Sequence, residues 1–553
     1  MPILLKVRRY WETLRYLRST QIWGRLAYRL HTPSPPPPIP APPRAQPGRW
    51  LPPARRKPSV TSQDGFVFLN VPGDLANDGW DGSRQEKLWR YNQHYFDDLN
   101  AYGAPSRCAW HYALLKTWIA QNPPTKGTGW EPYPTSLRIV NWIKWSLGGG
   151  ATDAAFLDSL ATQVRWLSRR LETHLLGNHL FANAKALVFA GSYFKGQEAD
   201  AWLRIGSQIL QREIPEQILT DGGQFERSPM YHALAFEDLL DLFNLSQCFN
   251  GVGAEDAALY IELGPARLQT MWRWLHTMSH PDGDLALFND TARDIAPSVE
   301  ELDGYARRLG LEQPSEVGMI HLADSGYVRL QLGNAIVLFD AAPVGPDYLP
   351  AHAHADTLSL ELSLAGARVL VNSGTSLYAE GKERSRQRGT RAHNTVVVDG
   401  QDSSEVWSSF RVARRAYPHD VRLSQQADTQ QVSASHNGYT RLRGQPVHWR
   451  SVTLRSNRCM IADRIEGVFQ RAQSRFHFHP AVIVSVEPDQ LQGTCRISNG
   501  EILKWHVKGG TAKVESSTWH PTFGSSLANQ CIDIEWNESQ CHFEIVWGSS
   551  TAD

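Results

Sequence analysis

Three residues that can bind a metal or move protons fall at alternate positions in Ala351-His352-Ala353-His354-Ala355-Asp356. From Thr357 on, Thr357, Ser359, Glu361 and Ser363 alternate with Leu358, Leu360, Leu362 and Leu364, the period of two that marks a half-buried strand. If the extended backbone reaches back, His352, His354 and Asp356 share one face, with neighbours roughly 6 to 7 Å apart. Such a row suits proton transfer or metal ligation, and equally the polar entrance of a strand.

Four other places concentrate groups with chemical potential. Leu88-Trp89-Arg90-Tyr91-Asn92-Gln93-His94-Tyr95-Phe96 and Gly129-Trp130-Glu131-Pro132-Tyr133-Pro134-Thr135-Ser136-Leu137-Arg138 join aromatic faces to hydrogen-bonding groups. Stacking on an indole and a bidentate arginine suit a carboxylated sugar, which makes Trp89, Asn92, His94, Trp130, Glu131, Tyr133 and Arg138 candidate substrate contacts. Packing at helix ends is the structural alternative. In the third place, Asn178 and His179 follow Gly177, and some fifty residues later Glu226, a further candidate substrate contact, precedes Ser228-Pro229-Met230-Tyr231 at a helix start. A tyrosine close to cations can have its pKa lowered enough to exchange protons. The fourth runs from Asn372 to Asn394 and holds Arg384, Arg386, Arg388 and Arg391, four arginines in eight residues, followed by His393. Such a run is a solvated loop or a seat for a polyanion, with Arg388 as the candidate contact.

The elements that must position these groups follow from pattern. The chain of 553 residues exceeds one ordinary domain, and 41% hydrophobic with 20% charged residues describes a globular protein. Net charge is zero, so nothing global points to nucleic acid. Six scattered cysteines show no metal spacing and no disulfide framework. Residues 1–32 read as a basic amphipathic helix spanning 3–30, which either lies on an anionic membrane surface or packs on its own chain. Only Ile3-Leu4-Leu5 is apolar near the start, so no cleaved signal is expected; this favours the cytoplasm or membrane periphery and leaves the periplasm open. Residues 33–60 form a linker, with twelve prolines in the 26 residues from Pro33 to Pro58.

Helical spacing then recurs over 107–122, 136–148, 154–176, 182–195, 198–218, 229–248, 257–279 and 298–309, with no interrupting strand. Successive hairpins of this kind close into a toroid or stay open as a solenoid. Past Gly318 the runs are short, β-branched and bounded by Gly, Asn, Asp and Pro, giving an antiparallel β domain. The fold expected is a helical domain over 61–315 followed by a β-sandwich over 316–553, which excludes alternating βαβ architectures.

Taken in order, Trp89 to Phe96, Asn178-His179, Asp221 to His232, His352-Ala-His354-Ala-Asp356, Asn372-Ser-Gly-Thr and Arg391-Ala-His393-Asn394-Thr395-Val396 resemble the heparinase II/III-like polysaccharide lyases. The resemblance implies an (α/α) toroid joined to an antiparallel β-sandwich with a site between them. It implies that Asn178, with His179, neutralises a uronate carboxylate and that Tyr231 and His352 exchange protons. It also implies that His354 and His393 ligate a structural zinc with a third ligand, usually Asp, which falls here on Asn372. The expected reaction is β-elimination on a uronate-containing polymer such as a glycosaminoglycan, a bacterial exopolysaccharide or alginate. A C5-epimerase of the same fold and a non-catalytic glycan-binding protein of a polysaccharide assembly system are the competing readings.

Overall fold

The computed structural model describes residues 3–37, 39–249, 263–314 and 318–548. Periodic apolar residues in the first half fold into helices Lys87–Tyr95, Cys108–Gln121, Pro132–Leu147, Ala154–Ser168, Gly177–Tyr193, Gln197–Gln217, Pro229–Cys248, Pro265–Thr277 and Val299–Arg308. They pack as successive hairpins of an (α/α) toroid around a core that includes Trp118, Trp142, Leu187, Leu240 and Trp272. The tightest pair, Gly177–Tyr193 against Gln197–Gln217, depends on two glycines. A Cβ on Gly191 would stand 2.5 Å from the Leu203 backbone nitrogen, and one on Gly206 would stand 2.8 Å from the Ala184 carbonyl.

Four boundaries differ from the sequence reading. The single N-terminal helix is two, Ile3–Leu14 and Ser19–Leu30. A two-stranded hairpin, Gly65–Phe68 with Val71–Asp74, precedes the helices and carries Phe68 onto Trp89. The helix expected over 154–176 ends at Ser168, and Asn183 takes up the freed Glu172 backbone N–H through its side-chain oxygen. The next helix starts five residues earlier than periodicity suggests, at Gly177. Residues 257–262 of one expected helix, and 315–317 around the domain boundary, lie outside the described residues.

The proline-rich segment is an extended strap. Arg44 N–H donates to the Tyr193 carbonyl and Gly48 N–H to the Cys248 carbonyl, so the strap is pinned across the ends of two toroid helices. Its own Ala41, Trp50 and Ala54 are buried against the body of the protein.

The second half is antiparallel throughout its named strands. A five-stranded meander runs in the order Ile320–Leu322, Tyr327–Leu332, Ala335–Asp340, Leu360–Leu364, Ala367–Leu370. An eight-stranded sheet and a four-stranded sheet face it across a shared core containing Val337, Leu362, Val452, Phe476, Trp505 and Ile534. The alternation after Thr357 is present, but the strand starts at Leu360 because Leu358 adopts a left-handed φ of 64°. His352, His354 and Asp356 therefore lie in a turning loop and not along one strand face.

Candidate active site

Two loops meet where the toroid joins the sheets. In one, Ser228 caps the helix Pro229–Cys248 by accepting the Tyr231 N–H at 3.3 Å, and Pro229 supplies the preset φ of a first helical residue. Arg227, just before it, sits at a φ of 61°, a strained position for a bulky residue. Its guanidinium donates to the Phe225 and Ser325 carbonyls, which holds the turn. Tyr231 is thereby aimed at the sheet half.

There it meets His352. The two rings stack at 3.9 Å between centroids and 17° between planes. His352 Nδ1 lies 2.6 Å from Glu226 Oε2, a buried carboxylate. With Nδ1 donating to this carboxylate, the neutral imidazole carries its lone pair on Nε2. The Tyr231 hydroxyl is 3.1 Å from the Tyr378 hydroxyl, and Tyr378 and Phe410 also pack against the imidazole, at 6.0 and 6.1 Å between centroids. Burial, then the Tyr378 phenol, hold Tyr231 well above the usual tyrosine pKa. The expected lowering by cations is reversed: this phenol keeps its proton at neutral pH.

Tyr231 also lines a cavity with Tyr133, Asn178 and Gln224. Leu176 at φ 63° and Gly177 at φ 53° turn the chain so that Asn178 and His179 open the helix Gly177–Tyr193. His179 stacks on Tyr133 at 4.4 Å, and its Nδ1 lies 3.1 Å from Glu172. Burial opposes charge on His179, but Glu172 outweighs it and raises the pKa. Deeper in the cavity, Lys144 and Lys185 reach Asp241 at 2.9 and 2.7 Å, and Arg56 holds Glu237 with two hydrogen bonds. These cations are already neutralised, and Asn178 is one of the uncharged polar groups, with Asn141, Gln217 and Gln224, that line the same cavity.

Two residues on, His354 faces the opposite way. Its Nε2 lies 2.9 Å from Asp290 Oδ1, and Asp290 also holds Arg384 through both terminal guanidinium nitrogens. Burial opposes ionisation of Asp290, but Arg384 and His354 together keep it well below the usual carboxylate range. The seam is reinforced by backbone: Asp290 N–H donates to the His352 carbonyl, and His354 N–H donates to Asn289 Oδ1 at 3.0 Å. Ligating atoms of His354, Asp356 and His393 lie within 4.8 Å of one another, all buried. His354 Nδ1 and His393 Nε2 have no hydrogen-bond partner, and burial keeps both imidazoles neutral. A donor set of two neutral imidazoles and a carboxylate fits a metal ion. The carboxylate that the resemblance leads one to expect at position 372 is available at Asp356. Asn372 Oδ1 instead accepts the Asn394 N–H and stands 3.3 Å from His393 Nδ1.

Several expected substrate contacts lie elsewhere. Trp89 is in the core and donates to the Val71 carbonyl, and Trp130 is buried with its indole N–H on the Asn122 carbonyl. His94 accepts the Trp118 indole N–H. Arg138 lies 3.9 Å over the Trp118 ring and is fully buried, bonded to Gln163 and the His94 carbonyl. Asn92 bonds back to Leu88 and faces a separate small cavity. Glu131 is more open, held by Tyr91 and Lys87. Arg388 is fully buried against the carbonyls of Ala353 and Ser408, so it has no reach to a ligand. Glu226 serves His352 rather than the cavity. Tyr378, Asp290 and Asp356 carry more of the site than the sequence indicated. Tyr378 closes the Asn372 to Tyr378 stretch and Asp356 follows the two histidines, but Asp290 stands in a loop with no pattern to flag it.

A family model described as Heparinase II/III N-terminus matches residues 87–307, and one described as Heparinase II/III-like, C-terminal, matches residues 315–548. The chain is 27% identical over 302 residues to a heparin-sulfate lyase of Pedobacter heparinus, 49% of this chain and 44% of that protein. It is 28% identical over 254 residues to a heparin-sulfate lyase of Bacteroides stercoris, covering 42% and 37% of the two chains. The matched stretches span less than half the length of either relative. Among solved structures, a heparinase III superposes with a TM-score of 0.69 at 20% identity, covering 87% of this chain and 81% of that one. A heparan sulfate lyase mutant from Pedobacter heparinus superposes at 0.60 and 18%, covering 87% and 80%.

Proposed function

Because the chain belongs to the heparinase II/III-like family, we propose that it is a polysaccharide lyase acting on a uronate-containing acidic polymer by β-elimination. The observation that carries this reading is the stack of His352 on Tyr231, with Glu226 on the far nitrogen of the imidazole. The C5 proton of a uronate is alpha to its carboxylate, and removing it places further negative charge on that carboxyl group. The Asn178 amide, supported by His179, meets the carboxylate and makes the proton acidic enough to leave. His352 Nε2, the ring nitrogen not engaged by Glu226, takes it. Tyr231, held protonated, donates to the glycosidic oxygen at C4 as the bond breaks, and Tyr378 steadies its hydroxyl. The product carries a C4=C5 double bond. The names of the relatives put heparan-type glycosaminoglycans first among substrates, followed by bacterial uronans and alginate.

In this reading His354, Asp356 and His393 hold a zinc ion in a structural role, where it supplies fixed positive charge to the seam between the two halves. Added zinc is expected to raise the melting temperature of the wild type and not of His393→Ala.

The test is a screen of the purified chain against heparan sulfate, chondroitin, hyaluronan, alginate and an acidic exopolysaccharide, read as ultraviolet absorbance of the unsaturated product. Absorbance that rises with wild type and not with Tyr231→Phe supports the reading. No rise on any uronan, or an undiminished rise with Tyr231→Phe, overturns it.

A further inference from the structure

The helices Ile3–Leu14 and Ser19–Leu30 have two faces of opposite kind. The inward face is held by the body of the protein. Trp407 donates to Thr13 at 3.1 Å, and Tyr10 packs edge-on to the Trp407 ring at 5.0 Å. Gln21 is buried and donates to the Tyr348 carbonyl, and Tyr28 lies on His174 at 4.4 Å. A Cβ on Gly24 would stand 2.9 Å from His174 Cβ, so the backbone is pressed directly onto the toroid there. Residues 21, 24 and 28 are one helical stripe.

The outward stripe is apolar and open. Val7, Trp11 and Leu14 are 60%, 64% and 51% exposed, and Ile22, Trp23, Leu26 and Leu30 are 52%, 68%, 49% and 78% exposed. The spacing 22, 23, 26, 30 puts the second set on one side of its helix, opposite the stripe that packs. A protein that needed these side chains only for its own core would have turned them inward. Lys6, Arg8, Arg25 and Arg29 are exposed beside them, and among the described residues they make no ion pair with a carboxylate. Tryptophans flanked by unneutralised arginines match a bilayer interface, where indoles settle at the headgroups and cations meet anionic lipid. Among the described residues no helix is long and apolar enough to cross a membrane, so the geometry calls for lying on the surface.

We propose that the outward face of this helix pair docks the protein onto an anionic lipid bilayer. The face sits beside the cleft. The hairpin that carries Trp407 also carries Phe410, 6.1 Å from His352, and His174 lies in the loop that leads to Asn178. Docking therefore presents the site to polymer at a membrane surface.

The test is cosedimentation of the full chain with vesicles of phosphatidylcholine alone and of phosphatidylcholine mixed with phosphatidylglycerol, at low and high salt. Binding is expected to the mixed vesicles, weakening as salt rises. The double variant Trp11→Glu/Trp23→Glu, and separately Arg25→Glu/Arg29→Glu, should each reduce partitioning by at least about tenfold. Both should leave turnover of a soluble uronan unchanged. Equal sedimentation of wild type and variants, or none by either, overturns the proposal. So does a wild-type dimer in analytical ultracentrifugation that Trp11→Glu/Trp23→Glu dissociates, since the face would then be covered by a second copy.

Discussion

His352 and His354 are separated by one residue, and their rings occupy regions of different character. On the cleft side, His352 is partly open, stacked on Tyr231, and uses one ring nitrogen on Glu226. On the seam side, His354 is fully buried with Asp290, Asp356, His393 and Arg384 around it. The cleft side keeps hydrogen-bonding capacity in reserve for a ligand. The seam side spends most of its capacity holding the halves together and leaves two imidazole nitrogens free where they converge. The difference separates residues whose loss removes chemistry from residues whose loss removes the structure that aims it.

That division is broken or sharpened by substitution. Tyr231→Phe, on the cleft side, should lower kcat about 10²- to 10⁴-fold with an unchanged melting temperature, and His352→Ala should fall in the same range. Steady-state kinetics beside a thermal melt decides it; a large drop in stability with either would place the stack on the seam side. Asp290→Asn should do the reverse and cost about 3 to 5 kcal/mol of stability by leaving Arg384 buried and unpaired. Because the folded pKa of Asp290 is depressed, its contribution is present above the ordinary aspartate pKa and is lost as pH falls. Denaturant midpoints of wild type and Asp290→Asn should therefore converge on acidification, and a constant gap would refute the linkage. Glu226→Gln should reduce kcat by about 10 to 10² while KM stays close to wild type, since it acts through His352. The acidic limb of the pH profile, where the base must lose its proton, should shift with it, which a purely structural role would not produce. Arg388→Ala should cost about 1 to 3 kcal/mol by stranding the Ala353 and Ser408 carbonyls, with KM unaltered in the folded fraction. A raised KM with no loss of stability would return Arg388 to the cleft.

Much of this was legible in the sequence. The change from period 3.6 to period 2 near Gly318 separates the toroid from the sheets, and Ser228-Pro229 announces the helix that presents Tyr231. Composition, however, does not distinguish an indole that stacks on sugar from one that fills a core, and Trp89 and Trp130 fill a core. The arginine run misled for a geometric reason. Residues 382–388 form a helix, so Arg384 and Arg388, four apart, share its buried face, while Arg386 and Arg391 lie off it. The row of His352, His354 and Asp356 misled because a single left-handed residue, Leu358, turns the chain before the strand begins.

The strap from Pro33 to Pro58 bears on how the first two helices sit. Extended proline-rich chain advances about 3.1 Å per residue and cannot coil to take up length. Stitched to Tyr193 and Cys248 at two points, it is a leash without slack. With Gln21, Gly24 and Tyr28 seated on the body before the strap and Arg44 and Gly48 pinned within it, the opening beside the helices is held at one height and one tilt above whatever surface they rest on.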